Sequence, residues 1–178
     1  MPFMVAAVVV VGVLAMLDLT LTFGVIRRLR EHTELLSAKN PAPALRVGET
    51  VGAFHTSTVD GGTVSRELIT DETVVAFFSP TCQPCKEKMP AFVRYAQALD
   101  GGRERVLAVV VGDADQAGDF VAGLSPAAQV VVESHDGAVS SAFQVKAYPT
   151  MLVAAPGADG RVLVRADHVD LDRPSVLA

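Results

Sequence analysis

Thirty-four of the 35 charged residues fall after position 26, and this asymmetry limits the fold more than any other feature of the sequence. Phe3 to Ile26 (FMVAAVVVVGVLAMLDLTLTFGVI) is 24 residues long with Asp18 as its one charge. About 20 apolar residues span the hydrocarbon core of a bilayer, so this run predicts one N-terminal transmembrane helix. An acid near the middle of a spanning helix costs roughly 2.5–3.5 kcal/mol on insertion scales, which some twenty apolar neighbours outweigh. A cleaved signal peptide is the competing reading. It wants a basic start and small residues at the cut, yet no Lys or Arg precedes the run and no clear Ala-x-Ala follows it. Arg27, Arg28 and Arg30 follow the span directly, and the positive-inside rule taken alone keeps what comes after them in the cytoplasm.

The remainder reads as one globular domain. Residues 1–37 are assigned to the anchor and a juxtamembrane helix, 38–46 to a linker around Pro41 and Pro43, and 47–178 to the domain. From residue 41 onward 11 basic residues face 17 acidic ones, a formal charge of −6. Nucleic-acid binding needs a basic footprint, so that class is excluded as a partner. Thr73 to Phe78 (TVVAFF) and Val106 to Val111 (VLAVVV) are near-continuous apolar runs, the mark of strands buried on both faces. Asp60-Gly61-Gly62 between Phe54–Val59 and Thr63-Val64 signals a hairpin. Met89, Phe92, Val93, Ala96 and Leu99 recur at helical spacing and predict a helix to about Leu99, stopped by Asp100-Gly101-Gly102. A helix at about 115–122, a strand at 129–132, weak helix at 136–143 and strands at 151–154 and 162–164 complete a mixed α/β sheet with helices on both faces.

The chemistry sits in Cys82-Gln83-Pro84-Cys85, at the mouth of a helix that follows a buried strand. Residues i and i+3 share one helix face, which brings the two Cα atoms to roughly 5–6 Å, within disulfide range. Pro84 suits the first turn, where a backbone donor has no partner anyway. The positive end of the helix stabilises a thiolate there, so Cys82, the outer residue, is the expected nucleophile and Cys85 the resolving thiol. Half of a zinc site is the competing reading, but no second CxxC and no H-x₃₋₅-H spacing accompany it. Two buried structural thiols are the other.

FFSPTCQPCKEKMP, followed some sixty residues later by VKAYPTMLV, resembles the thioredoxin superfamily. More narrowly the domain is similar to the membrane-anchored TlpA/ResA-like branch, whose extra N-terminal hairpin VGETVGAFHTSTVDGGTVS resembles. The anchor, the GVIRRLREH exit and SPTC are similar to MauD. The resemblance implies a thioredoxin fold: a central mixed sheet with helices on both faces and an extra N-terminal β-hairpin, preceded by the transmembrane helix. It implies thiol–disulfide exchange through Cys82 and Cys85, a cis bond before Pro149, and substrate contact by Tyr148, Pro149, Thr81, Gln83 and Pro84. Sequence alone favours trans at Pro149. The implied partners are protein thiols and disulfides and a membrane electron-donor protein; no cofactor or metal is called for. Pro84 before the second cysteine and the resemblance favour a reductant. MauD-like anchors share the basic exit and still export their domain, which puts the domain outside the cytoplasm.

Three departures stand out. Thr81 replaces the usual Trp, Ala76 replaces a buried acid, and Lys88 stands where cytochrome-maturation reductases carry Glu. A terminal helix is missing or vestigial after Val164, leaving one sheet face thinly covered or covered by a partner. A copper chaperone holding Cu(I) through the same thiolates, with His135 as a loose third ligand, is the alternative function. A peroxidase would use Ser79, three residues before Cys82, but Val75 occupies the position of its expected proline. His135-Asp136 beside Glu133 reads as a polar turn before a helix rather than a proton relay.

Overall fold

The structure is a computed structural model that describes residues 44–172, together with Gly12 and Met16. The chain divides into two units, Met1–Pro41 and Ala42–Ala178. Apart from Gly12 and Met16, the predicted anchor lies outside the described residues, as does most of the linker. Among the described residues no helix is long and apolar enough to cross a membrane.

The elements run β1 (His55–Ser57), β2 (Thr63–Ser65), β3 (Thr73–Phe78), α1 (Gln83–Gln97), β4 (Val106–Val111), α2 (Ala114–Leu124), β5 (Gln129–Glu133), α3 (Ala138–Ala142), β6 (Thr150–Pro156) and β7 (Val162–Ala166). β3 to β7 form one sheet in the order β5-β4-β3-β6-β7. β3, β4 and β5 are parallel to one another, while β6 and β7 join antiparallel. β1 and β2 form the separate hairpin. Every residue of β3 and β4 is buried, as strands covered on both faces must be.

Alternation along the strands divides the core in two. Val75 and Phe77 of β3 face a cluster with Val51, Phe54, Val139 and Phe143. Val74, Ala76 and Phe78 face α1 and α2 through Phe92, Ala96 and Phe120. Phe78 meets Phe92 edge-on at 5.3 Å between ring centroids.

The segment before β3 bonds to both edges of the sheet, where unpaired strand backbone is a liability. Residues 48–51 pair with β7: Gly48 N donates to Val164 O, Val164 N to Glu49 O and Val51 N to Val162 O, at 2.8–3.0 Å. The chain then passes α3, where Gly52 N donates to Ala142 O, and reaches the opposite edge, where Val59 N donates to Val130 O of β5. Arg103 reinforces that end, bonding Asp60 in the hairpin turn and donating Nε to Ala128 O at 2.8 Å. Thr58 and Arg103 together hold the Asp60 carboxyl down at about 2.

The sequence reading locates each of these elements to within a few residues. It does not foresee the two 3₁₀ turns, Arg66–Leu68 and Gly102–Arg105. The end of the weak helix also differs in kind, because α3 stops without glycine. Gln144 takes a left-handed φ of 51°, with Val145 N donating to Ser140 O and Gln144 N to Ser141 O. That is a Schellman cap with glutamine in the place glycine usually fills. Past β7, Val169 is buried and Leu171 half-buried against the α1–α2 side of the core, so an irregular strap lies where a terminal helix was missed.

A left-handed residue with a side chain costs roughly 1–2 kcal/mol relative to the right-handed conformation. Gln144→Gly is therefore expected to stabilise the folded chain by about 1 kcal/mol in urea denaturation; an unchanged or lower midpoint would contradict the cap.

Candidate active site

The site is assembled where β3 ends and α1 begins. Cys82 is the N-cap of α1, with extended φ and ψ of −87° and 113°. Its carbonyl accepts the amides of Cys85 at 3.1 Å and Lys86 at 3.3 Å. Pro84, inside the first turn, has no amide to satisfy there. Pro90 lies inside the same helix further on. Cys82 is half-buried, whereas Cys85, one turn deeper, is fully enclosed in the core cluster that holds Phe78 and Phe92. Both cysteines are free thiols.

The two thiols sit in opposite surroundings. Burial pushes the Cys85 thiol up to about 12, and a hydrogen bond to Cys82 and its charge push the same way. The Ser79 amide, donating to Cys85 Sγ at 3.5 Å, pulls in the other direction and is outweighed. Ala76, in the strand beneath, contributes no acid to take the Cys85 proton. Ser79 Oγ lies 3.3 Å from Thr81 Oγ1, so this buried hydroxyl is engaged within its own loop.

The opposite wall comes from the loop entering β6. The Tyr148–Pro149 bond is cis, as the resemblance implied and the sequence alone did not. The Cys82 thiol donates to Tyr148 O at 3.5 Å, across 66 residues of sequence. Thr150 Oγ1 donates to Ala147 O at 2.7 Å and closes the turn. Of the residues expected to meet a substrate, Tyr148 and Pro149 are half-buried beside the thiol, and Thr81, Gln83 and Pro84 are exposed around it. Gln83 Nε2 reaches Glu87 Oε1 at 3.1 Å, one turn along the helix.

The domain belongs with known sequences by its fold and its pair. The sequence profile of the AhpC/TSA family matches residues 47–159. The chain belongs to the AhpC/TSA family. Its free cysteine pair at a helix N-terminus, faced by a cis proline, makes it a thiol–disulfide oxidoreductase of thioredoxin-like fold. Solved structures are similar over most of their length. A Neisseria meningitidis protein described as a thioredoxin is 26% identical with a TM-score of 0.51, covering 68% of this chain and 82% of its own. A thiol:disulfide interchange protein from a Bacteroides species is 15% identical with a TM-score of 0.55, covering 72% and 84%. A secreted Mycobacterium tuberculosis disulfide oxidoreductase homologous to Escherichia coli DsbE is 17% identical with a TM-score of 0.50, covering 67% and 89%. No curated protein matches this chain significantly.

Two residues gain roles that sequence reasoning did not assign. Ser79 enters through its backbone amide, which carries no side-chain signal. His135 lies on the turn after β5, and its ring stands 6.0 Å from that of Tyr148. The copper-chaperone alternative asks for His135 as a third ligand. Among the described residues, however, no group of three or more His, Cys, Asp or Glu side chains is gathered closely enough to hold a metal ion.

A thiol titrating near 12 stays protonated, and unreactive toward alkylating agents, at any pH well below that value. Iodoacetamide at pH 8 is therefore expected to modify the reduced chain once, at Cys82, with Cys85 reacting only after denaturation. Equal labelling of both residues in the folded chain would contradict the burial of Cys85.

Proposed function

We propose that this chain is a membrane-anchored reductant of protein disulfides whose domain works outside the cytoplasm. The observation that carries the exchange reading is the contact between the Cys82 thiol and the carbonyl of Tyr148, next to a cis proline. A thiol at that place reacts beside the backbone of the loop entering β6, and an extended client segment pairs with such an edge through main-chain hydrogen bonds. Affinity then depends little on the client's side chains, which suits an enzyme with many protein substrates.

The exchange balances as follows. The Cys82 thiolate attacks one sulfur of a client disulfide, and the other client sulfur leaves as a thiolate. The Cys82 sulfur now bears no charge, which removes one of the influences that hold the Cys85 proton in place. Cys85 gives up that proton to the client thiolate released in the first step and attacks Cys82, which breaks the mixed disulfide and releases the second client sulfur as a thiolate. Two electrons have moved from the enzyme dithiol to the client, and the enzyme holds a Cys82–Cys85 disulfide. A membrane dithiol donor of the class expected from the sequence returns two electrons and resets the pair. Thr81, Gln83 and Pro84 line the approach to Cys82, and Tyr148 and Pro149 supply the pairing edge.

The anchor reading rests on the charge-free run within Phe3–Ile26, broken only by Asp18. One similar structure is that of a secreted oxidoreductase and another that of an exposed lipoprotein thioredoxin from Streptococcus pneumoniae, which supports an extracytoplasmic setting. A tether holds the enzyme near its donor and raises the effective concentration of both.

A membrane-impermeant maleimide applied to intact cells is expected to label Cys82 without prior reduction. Labelling that needs an impermeant reductant first would point to an oxidant, and labelling only after lysis would place the domain in the cytoplasm.

A further inference from the structure

Glu133, at the end of β5, uses both carboxylate oxygens as a clamp: Val139 N donates to Oε2 at 3.0 Å and Ser140 N to Oε1 at 2.7 Å. These bonds tie the turn between β5 and α3 to the first residues of that short helix, and Gly137 N donates to Ser134 O at 2.9 Å within the turn. His135 is therefore carried on a fixed loop. Its Nδ1 stands 3.4 Å from Tyr148 Oη, and the two rings are inclined at 49°. Burial first, then the charges of Glu133 and Cys85, raise the Tyr148 phenol above its ordinary range, so it keeps its proton and has one to donate toward Nδ1. The same residue's carbonyl receives the Cys82 thiol. A line of contacts thus runs from the β5–α3 turn through one side chain to the backbone that faces the nucleophile.

We propose that His135 is a positioning residue for protein substrates: through Tyr148 it fixes the backbone edge on which a client's extended segment pairs. This rests on the strand-pairing reading given above. His135 itself lies off the Cys82–Cys85 axis and takes no part in bond making. Its contribution is felt only by substrates that need the edge. A small disulfide, which reaches the Cys82 sulfur without pairing along the loop, is indifferent to it.

The test compares two disulfide substrates on the reduced full-length chain in detergent, with insulin as the protein and 5,5′-dithiobis(2-nitrobenzoate) as the small molecule. Losing one hydrogen bond corresponds to roughly a 3- to 10-fold change in an equilibrium, so His135→Ala is expected to raise KM for insulin by about that factor. Its rate with the small disulfide and the pH profile of Cys82 alkylation are expected to stay unchanged. His135→Asn, which restores an acceptor near the Nδ1 position, is expected to recover most of the loss. Tyr148→Phe should raise KM for insulin by the same factor, and in the double variant that KM should be no higher than in either single variant. Wild-type kinetics for His135→Ala with both substrates, an equal fall with both, or additive effects in the double variant would each overturn the proposal. A wild-type chain that reduces neither substrate would overturn the exchange reading, and this proposal with it.

Discussion

The site depends on one register, the antiparallel pairing of β3 with β6. Thr150 lies opposite Phe77 and Met151 opposite Ala76, which brings residues 148 and 149 past the end of β3 to where α1 starts. A slip of one residue would turn every side chain of β6 to the other face. Leu152 and Ala154 would leave the cluster around Phe143, and Val153 would leave the one around Phe92. The burial of both strand faces therefore fixes the register, and the register places the Tyr148 carbonyl 3.5 Å from the Cys82 thiol. In this chain the geometry of the chemistry follows from the packing of the core.

Within that frame the two cysteines differ because of depth. One helical turn separates a half-exposed N-cap position from a fully enclosed one, and in the proposed exchange that depth makes one thiol the attacker and the other a reserve. The reserve is held by burial first and by its neighbour's hydrogen bond and charge second. This couples the two steps of exchange. In the proposed exchange Cys85 is held back while Cys82 carries charge, and the restraint weakens once Cys82 is spent in a mixed disulfide. No carboxylate stands in the strand below to perform that task, since Ala76 occupies the place.

Much of this was legible in the amino acids. TVVAFF and VLAVVV announced strands buried on both faces, and the cysteines between a strand and an amphipathic run announced the reactive helix start. These signals are local, set by periodicity and by spacing within one turn. The cis bond at Pro149 was legible only through family likeness, because nothing within the dipeptide separates cis from trans. The stop of α3 was hidden because Gln144 fills a position where glycine would have been conspicuous. Glu133 and His135 read as a polar turn, and a turn they are. That the turn also meets Tyr148, thirteen residues on, comes from tertiary placement that no window of sequence contains. The bonding of residues 48–59 to both sheet edges was invisible for the same reason: it joins the segment to strands 71 to 116 residues away.

The central claim is that Cys82 attacks while Cys85 resolves, and covalent capture tests it directly. With Cys85→Ser the second step has no nucleophile, so a client disulfide offered to the full-length reduced chain should stop as a stable mixed disulfide. Peptide mapping of that adduct should find the client joined to Cys82, and Cys82→Ser should capture almost none. Efficient capture through Cys85 in Cys82→Ser, or release of both client thiols by Cys85→Ser, would contradict the account.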